Sequence, residues 1–149
     1  MVTPEHLQVV ARHLAAENEH RMEDTLATLH PDCVFEDVAM GLTWNGREGA
    51  REYYRIWWNA FDLQVRGKRR HGTSEGMLIA ETSYVGRHVG DFFGLAPTQR
   101  PIELRLAVVI DFRAGLMNGE RFYYDLLGLL RQLGASADAF RPQPAEVAA

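Results

Sequence analysis

Hydrophobic residues recur at two different spacings along the chain. Helical spacing, with apolar positions every three or four residues, predicts helices over residues 4–30 (with a bend near Asn18), 47–60 and 126–133. Alternating spacing predicts strands over the ranges 33–37, 62–71, 77–89, 101–112 and 116–124. Because most strands follow one another and are joined by short turns, this order predicts an α+β fold rather than a parallel βαβ sheet.

The first predicted helix begins with Thr3 as N-cap and Pro4 at the first helical position. Its predicted apolar stripe consists of Leu7, Val10, Ala11, Leu14 and Ala15. His6, His13 and His20 are spaced by seven residues. On a helix they stand about 10 Å apart, which is too far for them to share one metal ion. We interpret all three as solvated residues on the helix surface.

The second predicted helix carries many large rings. Its residues at helical spacing are Ala50, Tyr53, Tyr54, Trp57, Trp58 and Phe61. This spacing is typical of a face that packs into the core. The same rings also suit a pocket for a flat polycyclic ligand, because small-molecule pockets are mostly apolar and aromatic. Trp44, just before the helix, is a candidate for the rim or lid of such a pocket.

Composition and charge narrow the functional classes. The 149 residues are enough for one domain, which we place at residues 1–134. Residues 135–149 show no periodicity and are predicted to be a disordered tail. The formal net charge of −4 argues against binding to nucleic acids or anionic membranes. No apolar run approaches the ~20 residues of a membrane helix, and the N-terminus lacks the features of a signal peptide, so we expect a cytoplasmic protein.

Two further features have plain structural interpretations. Cys33 is the single cysteine, so no intrachain disulfide or cysteine metal cluster is expected, and it fits a small buried hydrophobic position. The basic run 66–71 is short and strand-like in an acidic protein, so we interpret it as a solvated outer strand rather than a phosphate-binding site. The chain has no GxSxG motif and no Gly-rich phosphate loop. We therefore expect neither a cofactor nor a metal.

Three motifs carry a family resemblance. Residues 120–134 read Glu-Arg-x-Tyr-x-Asp-x-x-x-Leu-Leu-x-Gln-Leu-Gly, and residues 30–37 read His-Pro-Asp-x-x-Phe-x-Asp. Residues 86–99 read Gly-x-His-x-Gly-x-Phe-x-Gly-x-x-Pro-Thr-Gln. Together these motifs resemble the SnoaL-like polyketide cyclases of the nuclear transport factor 2-like (NTF2-like) superfamily, with Gln99 standing where that family has a glycine. The resemblance covers about residues 4–134.

The resemblance implies both a fold and a reaction. The fold is a cone, in which a strongly curved and mostly antiparallel sheet has helices on its concave side and encloses one pocket. The reaction is a cofactor-independent, intramolecular aldol ring closure of an aromatic polyketide. Asp125 matches the acid/base of the family and is expected deep in the pocket. Asp37 matches the general base of the related ketosteroid isomerases, and His88 lies where it could donate a hydrogen bond to a substrate carbonyl.

Each of these three residues also has a purely structural interpretation. Asp125 could cap the helix predicted at 126–133, Asp37 could bond the backbone at the start of a loop, and His88 could bond within its own loop. The candidate substrate-binding residues are Phe35, Trp44, Tyr54, Trp57, Phe92, Arg121 and Tyr123.

The implied partner is a hydrophobic polycyclic ketone. A homodimer or homotetramer is also expected, because residues 104–110 are apolar on both faces of the sheet and helices can cover only one. Two alternatives remain open. One is a hydroxylase or isomerase acting on a polycyclic ketone, and the other is a non-catalytic module for ligand binding or oligomerisation.

Overall fold

The computed structural model describes residues 1–143. The helices are α1 (Pro4–Asn18), α2 (Met22–Ala27), α3 (Gly46–Phe61) and α4 (Leu126–Leu133). The strands are β1 (Leu29–Asp37), β2 (Leu42–Asn45), β3 (Gln64–Gly72), β4 (Leu78–Arg87), β5 (Pro101–Arg113) and β6 (Leu116–Tyr124). The strands form one sheet in the order β2-β1-β6-β5-β4-β3. Only the β1–β6 pair is parallel among these described strands, so the predicted α+β class is confirmed.

The sheet curves around its helices without closing into a barrel. Alternate residues of β5 face the helices and are buried, namely Leu104, Leu106, Val108 and Ile110. Helix α3 packs across β1, and all six residues of its predicted apolar face are buried. Burial of these rings makes a large apolar contribution to the core, since each aromatic side chain removes about 150–250 Å² from water.

The first helical region is shorter than its pattern predicts. Helix α1 ends at Asn18, His20 takes a left-handed φ of 53°, and α2 ends at Ala27. Pro31 therefore lies inside β1 rather than just after a helix. It is tolerated there because the pairing of β1 with β6 is irregular between Leu29 and Val34, where a proline removes no regular ladder bond.

The inner face of α1 is rotated from the predicted stripe. Ala11 and Ala15 are exposed, and Leu7 is 41% exposed. Val10 is buried as predicted, and the other buried residues are Val9, His13, Ala16 and Glu17. The prediction was wrong because it assigned the inner face by hydrophobicity alone, and this inner face contains two ionisable side chains.

The C-terminal segment is ordered further than expected. Residues Ala137–Ala139 form a 3-10 turn, and Phe140 is buried against Phe92 and Phe93. The structure thus differs from the predicted disordered tail at residues 137–140. Residues 144–149, on which the same expectation fell, lie outside the described residues.

Candidate active site

A cavity of about 490 Å³ lies between α1 and the concave surface of strands β3 to β6. Most of its wall is apolar and includes Val10, Leu14, Ala80, Val108, Ile110 and Met117. Its volume falls within the range of ordinary small-molecule pockets. The cavity is therefore suited to a hydrophobic ligand.

One polar cluster faces this apolar wall. Nε2 of His13 lies 3.7 Å from Oε2 of Glu17, one turn further along α1, and 3.3 Å from Oε1 of Glu120 on β6. The hydroxyl of Tyr54 lies 2.7 Å from the same nitrogen. His13, Glu17 and Glu120 all line the cavity and are almost completely buried. We refer to these three residues as the His13 cluster.

The orientation of the His13 ring follows from its second nitrogen. Nδ1 lies 2.7 Å from Oγ1 of Thr28, and that hydroxyl donates its own hydrogen to the carbonyl of Thr25 at 2.7 Å. Since the Thr28 hydrogen is already used, Nδ1 must carry the hydrogen of its bond to Thr28. Nε2 is therefore the atom that gains or loses a proton beside Tyr54 and the two carboxyl groups.

The cluster retains protons at neutral pH. Burial raises the pKa of Glu17 to about 8, with Glu120 adding to the effect and His13 opposing it. Burial alone would lower the pKa of His13, but the hydrogen bond and charge of Glu120 and the charge of Glu17 outweigh it, so that this pKa is raised. The raised pKa of Glu17 favours its neutral carboxylic acid form near neutral pH, and the adjacent imidazole holds its proton more strongly than a free histidine does. This arrangement is suitable for donating a proton.

Asp37 belongs to a second buried cluster, separate from the cavity lining. Its Oδ2 accepts hydrogen bonds of 2.8 Å from the hydroxyls of both Tyr53 and Tyr124, and its Oδ1 accepts one of 2.9 Å from the backbone of Met40. Burial raises the pKa of Asp37, although these three donors oppose the shift. The bond to Met40 matches the interpretation of Asp37 as a loop-entry residue, and all three contacts hold the β1–β2 turn against α3 and β6.

Asp125 does not lie in the cavity. It is exposed at the junction of β6 and α4, where its Oδ1 accepts a 2.8 Å hydrogen bond from the backbone N–H of Gly128. This is the N-cap contact of α4. The expectation that Asp125 lies deep in the pocket is wrong, because β6 ends and the chain turns outward before this residue.

His88 is completely buried and bonds within its own loop. Its Nδ1 accepts a hydrogen bond from the backbone N–H of Thr98 at 3.2 Å, and its main chain bonds Arg100 and Gln99. Desolvation lowers the pKa of His88 against the opposing effect of nearby backbone groups, mainly that of Gly90. Gln99 takes the left-handed φ of 62° that a glycine would adopt, so the motif turn keeps its geometry without the glycine.

The seven candidate substrate-binding residues lie in three different places. Tyr54 reaches the cavity cluster through His13. Four others are buried in the aromatic core and do not line the cavity, namely Phe35, Trp44, Trp57 and Phe92. Arg121 and Tyr123 alternate with the inward-facing Glu120 and Phe122, so they lie on the outer face of the sheet. There Arg121 pairs with Asp111, and Tyr123 is 44% exposed.

The cluster residues were missed at the level of sequence, although a signal was present. His13 and Glu17 are four residues apart and follow Val10 on the same helical face. Glu120 has the same strand parity as the buried Phe122. A polar residue at an inward-facing position is the informative pattern here. The interpretation of His13 as a solvated residue is therefore wrong, because its seven-residue spacing from His6 and His20 carries no information about burial.

Neither a metal centre nor a membrane span is indicated in the described part of the chain. No group of three or more His, Cys, Asp or Glu residues within residues 1–143 has a geometry suited to holding a metal ion. No helix in that range is long and apolar enough to cross a membrane.

Solved structures of similar proteins share this fold. TsrD from Streptomyces laurentii superposes with a TM-score of 0.77 at 28% sequence identity, covering 91% of this chain and 99% of that chain. A protein of ketosteroid isomerase-like fold from Catenulispora acidiphila was solved in complex with trimethylamine. It superposes with a TM-score of 0.74 at 23% sequence identity, covering 95% of this chain and 100% of that chain. A protein from Xanthomonas campestris pv. campestris, provisionally described as a polyketide cyclase, superposes with a TM-score of 0.76 at 22% sequence identity. The match covers 85% of this chain and 95% of that chain.

These likenesses show that the chain has the ketosteroid isomerase-like (NTF2-like) α+β fold. The sequence profile of the SnoaL-like polyketide cyclases matches residues 7–133. The chain therefore belongs to the SnoaL-like polyketide cyclase family, and the family resemblance of its three motifs is confirmed. Among proteins of curated function, none matches the chain significantly.

Proposed function

We propose that this protein is a cofactor-independent acid–base enzyme that closes a ring in an aromatic polyketide by an intramolecular aldol reaction. The observation that carries the proposal is the His13 cluster, a set of buried ionisable side chains on the wall of a mostly apolar cavity. A carbonyl compound bound in this cavity would meet both a proton acceptor and a proton donor within a few ångströms. Family membership supports the substrate class.

The two carboxyl groups take different roles. Glu120 accepts a proton from a carbon that lies between two carbonyls, and the resulting enolate attacks a folded-back ketone. The new carbon–carbon bond leaves an alkoxide, which takes the proton held by Glu17. The C–H proton thus ends on Glu120 and the Glu17 proton on the product. Transfer of one proton between the two groups through His13, which lies within 3.7 Å of both, restores the cluster.

The enzyme needs only moderate catalytic power for this reaction. A hydrogen between two carbonyls is already acidic, and the enolate is delocalised over the conjugated substrate. The apolar wall of the cavity holds the polyketide substrate in a folded-back conformation, which is an orientation effect. The wall also excludes water from the Glu17 carboxyl group, and this desolvation maintains its raised pKa.

Two isosteric substitutions test the assignment. Glu17→Gln and Glu120→Gln keep the size of each side chain but remove its ability to exchange a proton. We expect each to lower the rate of cyclisation above background by on the order of 10²–10⁴-fold. The assay follows ring closure of a linear polyketone with 1,3-dicarbonyl units. Asp125→Asn is the matched control, because it alters a carboxyl group outside the cavity and should retain full activity.

The results discriminate between the open alternatives. Full activity in both Gln variants would remove the His13 cluster from the mechanism, and loss of activity only in Asp125→Asn would return the role to Asp125. Proton exchange at a ring carbon without closure would indicate an isomerase. Ligand binding without turnover in the unmodified protein would indicate a non-catalytic binding module.

A further inference from the structure

The mouth of the cavity is positively charged on one side. Lys68, Arg69 and Arg70 line it from β3, which forms the edge of the sheet. All three side chains are exposed. Arg69 lies opposite Glu81 of β4, and this carboxylate also bonds His71. Within residues 1–143, neither Lys68 nor Arg70 forms a salt bridge, so two cations at the mouth lack a counter-charge of their own.

The adjoining wall offers an unsatisfied polar atom. Oγ1 of Thr82 is buried, lines the cavity and has no hydrogen-bond partner in the described structure. Its direct neighbour across the strands is Gly67. A Cβ atom added at Gly67 would meet nothing within 4 Å, so the space beside Thr82 is open. A buried hydroxyl without a partner is unfavourable, and a polar group on a bound ligand would relieve it.

The charges of the cavity are thus arranged in two zones. The His13 cluster lies on α1 and β6, whereas the two unpaired cations lie on the opposite edge strand. A ligand that fills the cavity spans both zones. Its carbonyl end faces Glu17 and Glu120, and its other end lies between Lys68, Arg70 and Thr82. An anionic end is favoured there, because each cation then gains a partner and the hydroxyl gains an acceptor.

We propose that the ligand is an amphiphilic anion, a hydrophobic polycyclic ketone whose carboxylate lies at the mouth beside Lys68 and Arg70. This inference rests on the proposed function in taking the cavity as the substrate site. It adds the substrate class, which is a free keto acid rather than its ester. The two cations have a competing explanation, because positive charge on an edge strand discourages edge-to-edge aggregation. If that were their only role, the protein would bind the acid and the ester equally well.

The test uses an inert pair of probes. Anthraquinone-2-carboxylate and its methyl ester share one ring system, differ in charge and have no acidic C–H to react. Isothermal titration calorimetry on the full chain should show the acid binding about 3- to 10-fold more tightly than the ester at low salt, with the preference falling as salt is added. Lys68→Gln and Arg70→Gln should each reduce the preference, and the double variant should abolish it.

Two control variants define specificity. Arg66→Gln removes a cation from the same strand that does not line the cavity, so it should leave the preference intact. Gly67→Val should weaken the binding of both probes, because the new side chain fills the open space beside Thr82. Melting curves confirm that each variant is folded.

Three results would overturn the inference. These are equal binding of acid and ester, failure of the unmodified protein to bind either probe, or an Arg66→Gln effect as large as that of Arg70→Gln. The outcome is separable from that of the catalytic proposal. An acid preference together with full activity in Glu17→Gln and Glu120→Gln would refute the mechanism and leave the ligand class standing.

Discussion

Nε2 of His13 lies 3.3 Å from Oε1 of Glu120, and this contact joins the first helix to the last strand inside the cavity. Both residues are almost completely buried. Such a pair is stable only because each partner compensates the desolvation of the other. The same contact therefore links the stability of the fold to the protonation of the site.

Stability should decrease as the pH rises. In the folded protein the pKa of Glu17 is about 8, whereas an unfolded glutamate titrates near 4.5, so the folded state holds a proton that the unfolded state has released. The free energy of unfolding is then highest below the unfolded pKa and falls by up to about 1.4 kcal/mol per pH unit towards pH 8. His13 and Asp37, whose pKa values are also raised, act in the same direction.

Denaturant titrations from about pH 5 to about pH 8 check this sign. Glu17→Gln, which is neutral throughout, should give a flatter profile than the unmodified protein. Parallel profiles for the two proteins would show that Glu17 does not hold the extra proton.

Asp125 should matter for stability more than for catalysis. Asp125→Ala removes the N-cap contact to Gly128 and is expected to lower the free energy of unfolding by about 1 kcal/mol. Asp125→Asn should cost less than half of that, because Asn caps helices about as well as Asp. Thermal melts and cyclisation rates are measured on the same samples. A large loss of rate in a fully stable Asp125→Asn would contradict this assignment.

Replacing Gln99 should stabilise the protein. Its φ of 62° is left-handed, which costs a residue with a Cβ roughly 1–2 kcal/mol and a glycine little. Gln99→Gly should therefore raise the free energy of unfolding by about 0.5–1 kcal/mol, after allowing for the greater chain entropy of glycine when unfolded. Gln99→Ala, which keeps the Cβ, is the control and should give no gain. Equal melting temperatures for the Gly and Ala variants would count against backbone strain at this site.

Phe140, near the end of the described residues, should contribute to the free energy of unfolding through the burial of its ring. Phe140 is 5% exposed and packs on Phe92 with a centroid distance of 5.6 Å. Phe140→Ala should cost about 3–5 kcal/mol, as for other large truncations of buried rings. Removal of residues 135–149, which takes Phe140 with it, should cost at least as much. A chain ending at 134 that melts like the full protein would refute the docking of Phe140.

Self-association remains a prediction. The outer face of the sheet carries Ala107, Val109 and the 44% exposed Tyr123, next to charged side chains. Light scattering at micromolar concentration should give the mass of a dimer or tetramer, and Tyr123→Glu should shift it towards the monomer. A monomeric mass for the unmodified protein would exclude association through this face.

The fold was predictable because its main signals are local. The ring spacing of α3 and the alternation along β5 are set by which side of each element is buried. The candidate site was not predictable in the same way. The position of Glu120 relative to His13 depends on how α1 lies across β6, and no local pattern specifies that crossing. Asp125 shows a different limit of the sequence. The motif match identifies the residue, but it does not specify the direction in which its side chain points.

The residues of the His13 cluster come from elements that are synthesised at very different times. His13 and Glu17 emerge from the ribosome with the first helix, and Glu120 follows only after five strands have been made. Until then, docking of α1 would bury an imidazole and a carboxyl group without their third partner, which is unfavourable. Nascent α1 is therefore expected to stay undocked until β6 has been made. Pairing of β6 with its neighbouring strands and docking of α1 on the sheet would then occur together, and this late event completes the cavity.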